Sequence, residues 1–283
     1  MVLDRTLLAA LAALAFLPIA SAQAQPSPAE PKPEMMENCP GMVAGQPPRV
    51  IPAAFNLAAL AGDEVRISYA GHSTFLIESP QGVKIATDYN DYVKPHGLPD
   101  IATMNHAHST HFTDNPDPGI KHVLRGWGPS PDEPARHDLQ VGDVRVRNVP
   151  TNIRNYMTGG TERHGNSIFI FEIANLCIAH LGHLHHTLTQ QQLNEIGRID
   201  VVMVPVDGGV TLDLDGMAEV LAALKAPLMI PMHYFSTYSL RRFLDVLGEK
   251  SYEVEISETP SVVVSKATLP AKPKLLVLPG RAF

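Results

Sequence analysis

Seven of the thirteen histidines in this 283-residue chain fall in two short clusters, and each cluster directly follows a short apolar run. The first, Asn105-His106-Ala107-His108-Ser109-Thr110-His111, follows Ile101 to Met104. An extended backbone turns His106 and His108 to one side, and a bend can bring His111 back toward them. The second, His180, His183, His185 and His186, follows Leu176 to Ala179, and a single His233 follows Leu228 to Pro231. Imidazole is the commonest protein ligand for transition metals, and three rings within six positions point to a metal rather than to solvated side chains. The chain must therefore fold so that strand ends far apart in sequence meet at one edge.

The rest of the pattern agrees. Val65 to Tyr69, Thr74 to Glu78 and Val83 to Thr87 read as a meander, and Val141 to Val149 as paired strands with a bend. Ser167 to Ile173 and Leu176 to Ala179 flank an Ala174-Asn175 turn. Val201 to Val206 and Leu228 to Pro231 are nearly all apolar, as strands buried on both faces are. Thr189 and Gln192 have the spacing of a capping box before a short helix. Met217, Val220, Leu221 and Leu224 form one amphipathic stripe, and Leu240, Phe243, Leu244 and Leu247 another that stops at Gly248. Sheets packed face to face with helices outside follow, in an α+β or α/β layered domain of about 220 residues.

The N-terminus reads as an address. Met1 to Arg5 is basic, Leu7 to Ala20 is apolar, and Ala20-Ser21-Ala22 and Ala22-Gln23-Ala24 both suit a signal peptidase. About 14 apolar residues fall short of the roughly 20 that span a bilayer. We expect residues 1–24 to be a signal peptide, 25–60 a Pro-rich arm and 61–283 the functional domain, with a periplasmic or secreted product and no membrane attachment after cleavage. Met35, Met36 and Met42 around Cys39 could suit copper(I), although packing or chance is the commoner reason for such a grouping. Two cysteines, Cys39 and Cys177, exclude a disulfide scaffold and a thiolate zinc finger, and leave room for one disulfide. A net charge of −7 disfavours nucleic acid as a partner. There is no Gly-x-Ser-x-Gly elbow, phosphate loop or His-Glu-x-x-His helix, so metal chemistry stands without a rival.

Taken in order, Tyr69-Ala70-Gly71-His72-Ser73-Thr74-Phe75-Leu76-Ile77, Thr87-Asp88, His106 to His111, Arg163 with Gly165-Asn166, His180-Leu181-Gly182, Pro205 to Asp213 and Ile230 to Tyr234 resemble the metallo-β-lactamase superfamily. The branch is that of bacterial lactonase-like hydrolases, similar to ascorbate-6-phosphate lactonase. The resemblance implies an α+β fold, a four-layer αββα sandwich, with metal at the sheet edges. It implies His106, His108, His111, His183 and His233 as metal ligands, and His72, Asp88 and His183 as catalytic. Two family carboxylates are missing, since Thr110 stands at one aspartate and His183 at the other, and a third family ligand falls at Ile153. A neutral imidazole shell should hold a second cation poorly, so one tight ion is expected over two, zinc first, with iron or manganese open. His72 could donate to substrate, Asp88 should hold a loop or ligand, and Asp207 is a turn residue that could return a carboxylate. His164 beside Arg163 reads as an exposed pair, and His96, His122 and His137 as surface residues. The expected function is an exported metal-dependent hydrolase that turns water on a carbonyl or phosphoryl centre of a small-molecule substrate. The alternative is a metal- or ligand-binding protein that keeps the scaffold without turnover.

Overall fold

The computed structural model describes residues 59–280, except 107, 131, 156 and 248–251. The signal peptide, nearly all of the Pro-rich arm with its Met and Cys39 group, and the Gly248 helix stop lie outside the described residues. The described part holds fourteen strands in two sheets, three α-helices and one 3-10 turn, Lys266–Thr268.

The six-stranded sheet runs β13 (Ser261–Val264), β1 (Val65–Gly71), β2 (Thr74–Glu78), β3 (Lys84–Ala86), β4 (Ile101–Met104), β5 (His122–Arg125). The eight-stranded sheet runs β12 (Glu253–Ile256), β14 (Lys274–Val277), β11 (Leu228–Met232), β10 (Val201–Pro205), β9 (Leu176–His180), β8 (Thr161–Ile173), β7 (Val144–Arg154), β6 (Asp138–Val141). Strand alternation sorts the core. Phe169, Phe171, Val201 and Met203 meet Val65, Ile67 and Ile77 between the sheets, whereas Ile168, Ile170, Val202 and Val204 face outward under the helices. Those helices are α1 (Gln190–Ile196), α2 (Leu214–Leu224) and α3 (Thr237–Leu247), and their apolar stripes join the same cluster. The capping box at Thr189 and Gln192 forms as its spacing predicts. A layered α+β sandwich is thus present. On its six-stranded side, loop side chains rather than a helix cover Ala86, Ala102 and Met104, with Phe112, Ile120 and Trp127 among them.

Several elements gave no periodic signal. β5 and the C-terminal β12 to β14 are short, and β12 is exposed at every position, so no alternation marks it. β8 begins at Thr161, well before the apolar run, because its first residues pair with the end of β7 beyond a bulge. Cys177, buried on β9, is disulfide-bonded.

Strand direction positions the site. β3, β4 and β5 run parallel, as do β9, β10 and β11. Parallel strands deliver their carboxyl ends to one edge, where open sheets build ligand sites. Asp88 follows β3, His108 and His111 follow β4, His183 follows β9, Asp207 follows β10 and His233 follows β11.

Candidate metal centre

One ring nitrogen from each of His108, His111, His183 and His233 lies within 4.8 Å of the other three. Three of these residues are buried and His108 is partly so. Each Nδ1 is already engaged. That of His111 donates to Asp88 Oδ2 at 2.6 Å, that of His233 to Asp207 Oδ1 at 2.9 Å, and that of His108 meets Thr110 Oγ1 at 2.7 Å. That of His183 meets His185 Nε2 at 2.6 Å. Nε2 is therefore the atom each ring turns inward. The Nε2 atoms of His111 and His233 are buried with no protein partner, and those of His108 and His183 meet only each other, at 3.0 Å. Unsatisfied buried acceptors cost about 1–3 kcal/mol each. A divalent cation that prefers nitrogen ligands fits this donor set, because it supplies a common partner for all four.

The carboxylates support the rings. Asp88 has a left-handed backbone (φ 43°) and takes Asn105 Nδ2 on its other oxygen at 2.8 Å. Its burial raises its pKa, against which Asn105, Ser73 and the neighbouring histidines act. Asp207 caps its own turn, accepting from the backbone of Gly209, Val210 and Thr211 and from the Thr211 hydroxyl. Burial raises its pKa too, yet the hydrogen bonds from His233 and Thr211 win and hold it well below the ordinary carboxylate range. Such outer partners fix which ring nitrogen carries the proton.

His106, expected as a ligand, is not brought in. Its ring is exposed, stacks on Trp127 at 4.9 Å and meets Glu162 Oε1 at 3.0 Å. The reason is local. His106 donates its backbone N–H to Gly165, and the chain turns through His108 to His111, so His108 and His111 face inward while His106 faces along the sheet edge. Ile153 is buried in β7 and offers no ligand. His72 is buried beside the group, 4.4 Å from the His233 ring, but belongs to no ligand set. If His108 offers Nε2 to a metal, its Nδ1 keeps the proton, Thr110 accepts it, and the Thr110 hydroxyl donates to His72 Nε2 at 3.3 Å. His72 then accepts rather than donates, and its Nδ1 donates to Ser73 Oγ at 2.9 Å. Thr110, which stands where the family has aspartate, thus orients two histidines.

Four residues to which the sequence reading gave no role of their own complete the centre. His180 Nε2 donates to the Ser73 carbonyl and is structural. His185 Nδ1 accepts from the Arg154 amide and its Nε2 lies against His183 Nδ1; for His183 to offer Nε2 to an ion, its Nδ1 must hold the proton and donate to His185, which then gives up the Arg154 amide. Asn105 bridges Asp88 to the Ser167 amide, and Asn166 Oδ1 accepts the His183 amide. Asn105 and Asn166 lie inside motifs visible in the sequence, but asparagine beside glycine or histidine reads first as a turn. Of the remaining histidines, His96 is exposed, His122 lies half-buried in β5, and His137 is half-buried and bonds the Arg125 carbonyl. Arg163 is exposed and paired with Asp132.

The family is now decided by comparison. A family model described as a beta-lactamase superfamily domain matches residues 66–233. The chain belongs to the metallo-β-lactamase superfamily. A UPF0173 protein of Pyrococcus furiosus is 25% identical over 197 residues, covering 62% of this chain and 85% of its own. A UPF0173 metal-dependent hydrolase of Thermoplasma volcanium is 27% identical over 192 residues, covering 60% and 84%. Among solved structures, a superfamily member from Thermotoga maritima has a TM-score of 0.55 and 28% identity, over 77% of this chain and all of that one. A metallo hydrolase of Ignicoccus hospitalis shares the fold alone, with a TM-score of 0.53 at 18% identity over 71% and 99%. Several of the proteins this superfamily member is similar to are named metal-dependent hydrolases.

Burial favours the neutral form of His72, His108, His111, His183 and His185 in this protein. Desolvation first, then the neighbouring rings, lower the pKa of His108, His111 and His183, take His72 down to about 3, and, with Arg154 as second cause, take His185 to about 4. Neutral rings in the fold become protonated on unfolding below about pH 6.5, so the unfolded chain binds more protons and stability rises with pH. The metal-free protein should hold full stability above pH 6.5 and lose about 1.4 kcal/mol per pH unit per histidine below it. Urea unfolding midpoints at pH 7.5 and pH 5 check this. Equal midpoints contradict it.

Proposed function

We propose that this protein is an exported hydrolase in which His108, His111, His183 and His233 hold a single divalent cation, zinc first, that acts on a carbonyl or phosphoryl centre. The observation that carries the reading is the convergence of four Nε2 atoms, two of them backed by buried carboxylates. The name of the Thermotoga relative, which places that protein among Zn-dependent hydrolases, supports zinc here. The bound ion would supply acidification of water and polarisation of the oxygen under attack. The chain's own part is to orient. Asp88 and Asp207 hold His111 and His233, Thr110 holds His108, and His185 meets His183. Iron or manganese in the same shell is a second possibility for the metal, since imidazole does not choose sharply among first-row ions.

One observation favours the non-catalytic alternative. No carboxylate stands in the ligand set, Asp88 and Asp207 are committed to ring and amide donors, and the His72 Nε2 is taken by Thr110. Neither of the two carboxylates beside the rings is left uncommitted to act as a general base. Metal analysis followed by a panel of esters, lactones and phosphodiesters, on wild type and His111→Ala, decides between the two. Turnover that needs the metal and is lost in the variant supports the hydrolase; a stoichiometric metal without turnover supports the binder.

Export rests on the N-terminal pattern and on the disulfide at Cys177, since disulfides persist in oxidising compartments. Intact mass of the protein recovered from a periplasmic fraction should place the new N-terminus at Gln23 or Gln25. Recovery only from the cytoplasm with Met1 retained would overturn it.

A further inference from the structure

Phe235 is 61% exposed, yet its ring rests edge-on against the metal-group histidine His233 at 5.3 Å and tilted against His72 at 5.9 Å. The loop after β11 separates three neighbouring side chains. His233 turns into the ring cluster with a left-handed backbone (φ 55°), its amide tied to the His72 carbonyl at 2.7 Å. Tyr234 turns into the body, its hydroxyl on the Leu278 carbonyl and its ring 6.4 Å from that of Tyr69. Phe235 remains at the mouth.

A structural reason for that phenylalanine is missing. It stands just before Ser236, whose Oγ accepts from the Ser239 amide at the start of α3. An apolar residue there ordinarily staples the helix by packing on the fourth helical position. That position is Leu240, which is buried in the core under the helices, and Phe235 is no part of that cluster. Among the described residues its ring neighbours are His72 and His233.

The local charge is the second observation. The carboxylates set against the four rings are Asp88 and Asp207, each hydrogen-bonded to one ring, and among the described residues no lysine or arginine bonds to any of the four. Arg154 lies behind His185, its guanidinium on the Thr211 carbonyl. A dication balanced by two carboxylates leaves the centre near neutral, without a basic side chain to clamp an anionic group.

We propose that Phe235 is a substrate-contacting residue, an aromatic platform beside the metal group that selects uncharged esters or lactones carrying an apolar group over phosphorylated substrates. The inference rests on the hydrolase reading and narrows it to carbonyl chemistry. In the hydrolytic step, the oxygen of water bonds to the carbonyl carbon, the carbon to alkoxy-oxygen bond breaks with its electron pair on the leaving oxygen, and a proton of the water ends on that alcohol.

The test separates binding from turnover. Saturation-transfer NMR on the metal-loaded full chain would follow 4-phenylbutan-2-one, an uncharged ketone with no bond for a hydrolase to cleave, against benzyl phosphate. We expect the ketone to bind wild type, Phe235→Ala to weaken it about tenfold, and Phe235→Tyr to restore it. In parallel, KM for p-nitrophenyl octanoate should rise about tenfold in Phe235→Ala with kcat and melting temperature unchanged, while KM for p-nitrophenyl acetate moves little. Equal ketone affinity in wild type and Phe235→Ala, no ketone binding at all, or tighter binding of benzyl phosphate overturns the platform. Absence of hydrolysis with the ketone difference intact overturns the hydrolase reading and leaves the platform standing.

Discussion

Replacing His111 or His233 with alanine is expected to remove stoichiometric metal binding, whereas His106→Ala leaves it intact. A four-ligand structural zinc site is worth about 10–16 kcal/mol, so one ligand in four carries about 3 kcal/mol, or roughly a hundredfold or more in affinity. The two variants should part company in the metal-free state. Asp88 takes donors from His111, Asn105 and Ser73, so His111→Ala removes one of the three from a fully buried carboxylate. That loss costs about 1–3 kcal/mol or more. Asp207 keeps Thr211 and three backbone amides when His233 is removed, so its variant should lose less. His106 is exposed and tied only to Glu162, Trp127 and Phe112 around its ring. Competition titration with a chelator, with unfolding of the metal-free variants alongside, measures both effects. Weak metal binding by His106→Ala would show that the inward group has been assigned one residue wrongly.

Gly182→Ala is expected to cost as much as losing a ligand, although glycine touches no metal. Its φ is +60°, and a Cβ there would sit 2.3 Å from Asn166 Oδ1 and 2.4 Å from Asn105 Nδ2. Those two atoms are not spare. Asn166 Oδ1 accepts the His183 amide, and Asn105 Nδ2 holds Asp88, which in turn holds His111. Overpacking costs about 1–3 kcal/mol and a left-handed alanine about 1 kcal/mol. A destabilisation of about 2–4 kcal/mol follows, or roughly 5–15 °C in a domain of this size. The same shift displaces two of the four rings, so metal affinity should fall with stability. A variant that melts with wild type and binds metal normally would mean the two asparagines can move aside, and that they do not position the histidines.

How far the sequence could be read depended on whether an element carried a period. Val201 to Val206 announced a buried strand because all its residues are apolar, and the structure places β10 there. The Thr189 cap was legible because its two partners are three residues apart. β12 was not legible, since Glu253 to Ile256 are all exposed at a sheet edge and nothing forces alternation. The site divided similarly. That histidines at strand ends matter followed from their density alone, but which of His106, His108 and His111 turn inward depends on a bend closed by the His111 amide on the His108 carbonyl and the Asn105 amide on the His111 carbonyl, and on the bond from the His106 amide to Gly165, 59 residues downstream. Asp207 looked like a turn residue and is one; it caps its turn and holds His233 with the same carboxylate. Only the fold brings β10 beside β11 and makes the second role visible.

The most direct test is X-ray absorption at the zinc edge, on protein loaded with zinc and assayed for metal content. One ion per chain in a shell of imidazole nitrogens at about 2.0–2.1 Å is the expected result. Two ions per chain with a metal-metal vector, or an oxygen-dominated shell that survives His111→Ala, would contradict a single centre built from His108, His111, His183 and His233.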